Sequence, residues 1–153
     1  MAIRTLILVT VLFLAGCSGA DEPSDPAKLE GAFRGEFHFR PPPGTQIKVR
    51  YVWVGDAWIL WMRLTYGEET FKQVIGTNLT AVEINQPDAR ASATSSVFGN
   101  PNAPAWWPRS FPKTNQTVFS NSDAHRIGGV VGRAYCWKDE ESGWIYWQRG
   151  DSQ

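Results

Sequence analysis

Apolar and polar positions alternate most cleanly in the middle of the chain. Ile47, Val49, Tyr51 and Trp53 fall on one side of a run whose other side carries Lys48 and Arg50. This period of two predicts a strand over 47–54. A second run, 57–66, places Trp58, Leu60, Met62, Leu64 and Tyr66 on one face and Ile59 and Trp61, with Arg63 and Thr65, on the other. A strand apolar on both sides suits the centre of a sheet covered on both faces. Gly55-Asp56 between the two runs reads as a turn. Arg133–Lys138 and Trp144–Gln148 read as a closing hairpin, with Gly143 where a short loop wants a left-handed residue. Its Trp137, Trp144, Tyr146 and Trp147 are placed for cross-strand aromatic contacts.

The flanks are less regular. Residues 32–40 set Phe33, Phe37 and Phe39 against Arg34, Glu36, His38 and Arg40, which predicts a first strand ended by Pro41-Pro42-Pro43-Gly44. Residues 66–76 fit a helix, with Phe71, Val74 and Ile75 at helical spacing, Glu68 and Glu69 in its first turn and Gly76 at its end, and a strand over Thr70–Ile75 fits nearly as well. A strand or irregular hairpin arm is preferred because 79–84 reads as β and the connection is tight. From Ala89 to Ser122 there is little periodicity, and four prolines surround Trp106-Trp107. A loop this long inside a compact domain is usually functional or mobile. Residues 126–131 resume an apolar pattern. The expected fold is mainly β: a small antiparallel sandwich or partly closed barrel with one long Pro/Trp-rich loop.

The N-terminal residues follow another logic. Arg4 precedes an apolar run from Leu6 to Leu14, which is too short for a permanent membrane span and is followed by small residues. The run ends in Leu14-Ala15-Gly16-Cys17. These four residues resemble the lipobox of bacterial lipoproteins. The resemblance implies that residues 1–16 are a cleaved signal peptide and that Cys17 carries a thioether-linked diacylglycerol and an N-terminal acyl chain such as palmitate. At about 0.8 kcal/mol per buried methylene, several chains anchor a protein stably where one does not. Ser18 in place of aspartate after the cysteine implies, by the sorting pattern of diderm bacteria, an outer-membrane protein facing the periplasm. Residues 17–30 carry Gly19, Pro23, Pro26 and the acids Asp21, Glu22 and Asp25, and read as a flexible tether; residues 31–150 read as a single β-rich domain.

Composition narrows the function. Fifteen basic residues balance fifteen acidic ones, which gives no support for nucleic-acid binding. If Cys17 carries lipid, Cys136 is left alone without an intramolecular disulfide, and reads as a buried small hydrophobe between Tyr135 and Trp137. His38 and His125 lack partners at zinc-ligand spacing, so neither a metal nor a cofactor is expected. A nucleophilic set of Cys136, His125 and Asp123 can be written down, but such sets are recognised by geometry and not by composition. The acids Glu68-Glu69 and Asp139-Glu140-Glu141 lie in expected turns, where nothing raises a carboxyl pKa for glycosidase chemistry. No catalytic residue is assigned.

Eight tryptophans are the most unusual feature of the composition. Trp106 and Trp107, in a proline-stiffened loop, are the candidate binding residues: their flat faces suit sugar rings or a partner's apolar groove. The competing arrangement folds the pair over the open end of the β core, as the usual burial of tryptophan favours. The expected function is a non-catalytic, lipid-anchored envelope module that binds a protein partner or a glycan, not an enzyme. The alternative is a carrier of a small apolar ligand, in a cavity lined by Trp58, Trp61, Trp137 and Trp147. A hydrolase comes third.

Overall fold

A computed structural model describes residues 19–54, 57–76, 79–82, 84, 87–111, 116–121, 126–127 and 130–152. Its elements are β1 (Gly19–Asp21), α1 (Pro26–Phe37), β2 (Ile47–Val54), β3 (Ala57–Thr65), α2 (Glu68–Ile75), β4 (Thr80–Val82), α3 (Pro87–Phe98), β5 (Val118–Ser120), β6 (Arg126–Ile127), β7 (Val130–Asp139) and β8 (Trp144–Ser152). The strands form one antiparallel sheet in the order β1-β2-β3-β8-β7-β5-β4, with β6 paired to the start of β7. The expectation of a mainly β antiparallel fold holds in its sandwich-like form. The sheet is open and not closed into a barrel, and helices supply the covering layers.

The register of the central strands matches the alternation read from sequence. Val49 pairs with Met62, and Met62 with Trp147; Trp147 in turn pairs with Cys136. Residues opposite one another share a face. One face therefore carries Val49, Leu60, Met62, Leu64, Cys136, Ile145 and Trp147, packed under Phe33 and Phe37 of α1 and Phe71 and Val74 of α2. The other carries Val52, Trp61, Tyr135, Trp137 and Tyr146, packed under Ala93 and Val97 of α3 and under Trp107 and Phe111. Strand β3, flanked by β2 and β8, is covered on both sides as its sequence indicated. The β7–β8 turn also forms as expected. Gly143 is left-handed at φ 73°; its N–H donates to the Asp139 carbonyl, and the Asp139 carboxylate accepts from the N–H groups of Glu141 and Ser142.

Three stretches correct the reading of the flanks. Residues 32–37, expected in a strand, belong to α1. Phe33 and Phe37 lie four apart, so they satisfy a helical stripe as well as an alternation. The deciding signal is upstream. Asp25 caps the helix by accepting from the N–H groups of Ala27 and Lys28, and Pro26 occupies its first turn. His38, left-handed at φ 62°, closes the helix by donating to the Arg34 carbonyl. Residues 68–75 are helical, not a strand, and bury Thr70, Phe71 and Val74. The supposedly irregular segment from 89 begins inside α3, which has so few large apolar residues that it shows no stripe; among its described side chains only Ala93 and Val97, one turn apart, are buried. Gly99 follows it, where a Cβ would stand 2.4 Å from the Ser95 carbonyl oxygen. Of the expected tether, residues 19–21 are paired with β2 and residues 26–30 open α1, so ordered structure begins before residue 31.

Helix α1 is also fixed electrostatically. The Glu36 carboxylate accepts from Trp147 Nε1 at 3.1 Å and from Arg149 Nη1 at 3.3 Å. Beside it, burial and then the charges of Glu36 and Asp21 push the Tyr51 phenol above its ordinary value. Because the folded-state pKa is raised, Tyr51 contributes stability that is complete below the unfolded value of about 10 and is lost as pH climbs through the raised one. Alkaline difference spectra of wild type against Tyr51→Phe are expected to show a phenolate component that ionises above the ordinary tyrosine value. In the same core Cys136 is fully buried, and burial pushes its thiol pKa far up. Cys136 is expected to resist alkylation in the folded domain and to react at once in denaturant.

Candidate functional site

The aromatic pair of the long loop is split by the fold. A turn closed by the Trp107 N–H on the Pro104 carbonyl, at 2.9 Å, directs the two rings to different places. Trp107 is 2% exposed and donates from Nε1 to the Val97 carbonyl. Its ring meets Trp137 and Tyr146 edge-on, with centroids at 5.2 and 5.5 Å. It therefore caps the core. Trp106 is half-buried, and its Nε1 donates to Glu22 Oε1 at 2.6 Å. The other oxygen of Glu22 accepts from Arg50 Nη1 at 3.1 Å. One carboxylate thus ties the segment before α1 to β2 and to the 99–111 loop.

Around Trp106 the sheet presents cations. Arg63 lies beneath two rings, its guanidinium carbon 4.3 Å from the Trp144 centroid and 5.6 Å from that of Trp106. Its buried Nε has no hydrogen-bond partner, and among the described residues no carboxylate pairs with it. Lys48 is directly opposite Arg63 across β2 and β3, on the same face, exposed and likewise without a carboxylate among the described residues. Like charges opposite one another in a sheet repel. Both residues line an open groove of about 720 Å³ whose walls include Trp144, Thr45, Gln46, the Pro41–Pro43 run and one acid, Glu30, which lies 4.0 Å from Arg40. Sequence reasoning missed Lys48, Arg63 and Trp144. The available signal was the placement of Arg63 on a strand face that begins with Ile59 and Trp61, directly across from another cation.

The remaining candidates separate in space. Cys17, His125 and Asp123 lie outside the described residues. Cys136 is in the core, where burial pushes its thiol pKa far up, so it offers no thiolate to the nucleophilic set written from the sequence. Glu68 and Glu140 surround Lys138, whose Nζ is 3.5 Å from Glu68 and 2.7 Å from Glu140. The Tyr66 hydroxyl donates to Glu68 and, with Lys138 and Lys72, holds its carboxyl below the ordinary value, opposite to what a general acid needs. Trp58 and Trp147 pack with one face of the sheet and Trp61 and Trp137 with the other, so these four cannot line one cavity. No group of three His, Cys, Asp or Glu side chains positioned for a metal occurs among the described residues. Nor is any described helix long and apolar enough to cross a membrane.

The chain matches no family model, no curated protein and no solved structure. The site thus stands on its geometry alone. Trp107→Ala is expected to cost about 3–5 kcal/mol of folding stability, as removal of a fully buried aromatic does. Trp106→Ala, which loses one exposed hydrogen bond and an edge contact, is expected to cost about 1 kcal/mol. Urea unfolding of both variants measures the difference.

Proposed function

We propose that this protein is a lipid-anchored, non-catalytic binding module of the bacterial envelope, held by Cys17, and that its binding face is the Lys48–Arg63–Trp144 groove bordered by Trp106. The observation that carries this reading is the cross-strand pair of Lys48 and Arg63 beside an indole, with no ion-pair partner among the described residues. Two like charges held together on a sheet face are stabilised by an anion that bridges them, and a guanidinium presents a planar fork suited to carboxylate or phosphate. Trp144 and Trp106 add flat apolar surface of the kind that packs on sugar rings. A glycan bearing acidic groups meets both requirements.

Titration of the protein with an oligosaccharide containing uronic acids, followed by tryptophan emission, tests this. Binding is expected to weaken steeply with salt and to fall at least about tenfold in Arg63→Ala, a loss of about 1.4 kcal/mol, at an unchanged urea midpoint. A neutral oligosaccharide of the same length is expected to bind far more weakly. Equal affinity for the two sugars, or full affinity in Arg63→Ala, refutes the assignment.

A further inference from the structure

At the opposite end of the sheet, Trp53 is the exposed large hydrophobic side chain of the described residues, 42% accessible. It stacks on Tyr51, ring centroids 5.7 Å apart, and lies directly opposite Trp58 on the same face, where the Arg149 guanidinium is 5.5 Å from the Trp58 ring. The cluster thus combines indole and phenol rings with one cation, the composition that favours the boundary between headgroups and acyl chains.

Its position relative to the N-terminus decides what it meets. Strand β1 pairs Gly19 with Trp53 and Asp21 with Tyr51. Gly19 is two residues beyond Cys17. Two residues span at most about 7 Å, and cross-strand Cα atoms are about 5 Å apart. The backbone of Trp53 therefore lies within about 13 Å of the Cys17 backbone, and no free spacer separates the sheet from the anchor.

We infer that the Trp53–Tyr51–Trp58 corner seats in the interfacial region of the bilayer that holds the Cys17 lipid, so that the domain stands on its membrane in one orientation. The inference rests on the lipid anchor proposed above. Arg63 is five residues along β3 from Trp58, about 17 Å at the rise of a strand, so this seating turns the Lys48–Arg63–Trp144 groove away from the bilayer and towards the periplasm.

The test uses the full chain, expressed in a diderm bacterium with its own N-terminal segment and purified in detergent. Intact mass reads the lipid on Cys17. The protein is then placed in phosphatidylcholine vesicles whose acyl chains are brominated either near the headgroup or near the terminus. Wild type is expected to lose emission more strongly to the shallow bromines than to the deep ones. Trp53→Phe, a change at an exposed ring, is expected to abolish most of that quenching at an unchanged urea midpoint. Lipidated protein with no quenching, or with quenching unaltered in Trp53→Phe, overturns the seating and leaves the binding reading standing. Protein without lipid on Cys17 overturns the anchor and the seating together.

Discussion

The stacked pair of Trp137 and Tyr146 organises one half of the molecule. These residues face each other across β7 and β8 with rings 5.2 Å apart and nearly parallel, at 17°. Trp107, Phe111 and Phe98 then approach Trp137 edge-on, at 5.2, 5.4 and 5.9 Å. Offset and edge-to-face aromatic contacts add about 0.5–1.5 kcal/mol each beyond the area they bury. Much of the cover on this face thus comes from ring contacts and not from a helix stripe, so α3 can be small-residued and still be held. The arrangement has a cost. The indole N–H groups of Trp61 and Trp137 are buried without a partner, and each such group costs about 1–3 kcal/mol.

Because Trp107 is locked into that cluster, its neighbour has little freedom. The turn that buries Trp107 sends Trp106 outward to Glu22, and Glu22 also holds Arg50. Glu22 is thereby committed, and among the described residues no carboxylate forms an ion pair with the cations further along the face, Arg63 under its two indoles and Lys48 beside it. The opposite corner is shaped by the N-terminal pairing. Strand β1 adds to the edge of β2 only at residues 51–53, next to the aromatic corner. The Trp53–Trp58 corner and the groove consequently belong to opposite ends of the same two strands.

The acidic groups nearer the sheet's other side are consumed structurally. Glu36 joins α1 to Trp147 and Arg149, while Glu68 and Glu140 surround Lys138. For Glu68 the Tyr66 hydroxyl and the lysines lower the carboxyl pKa, whereas acid catalysis needs a carboxyl kept protonated by an apolar pocket. The one described thiol is withdrawn in the same way, by burial in the middle of β7.

Read alone, the chain determined the central strands, the sides on which their residues fall, the closing hairpin with Gly143 and the burial of Cys136. All of these follow from a period of two and a left-handed turn, which are local properties. The helices were less legible. Phe33 and Phe37 satisfy two periods at once, 68–75 balanced a helix against a strand, and α3 buries too little to show any period. For α1 the arbiters were the capping residues Asp25 and Pro26, not the apolar pattern. Tertiary structure alone decided which of Trp106 and Trp107 caps the core and which reaches the surface. Adjacent residues separate this way only where a turn sends them to different partners. It also brought Lys48 to Arg63, Glu22 to Trp106 and Gly19 to Trp53. Pairings between strands and loops distant in sequence depend on register and packing, and no local pattern encodes them.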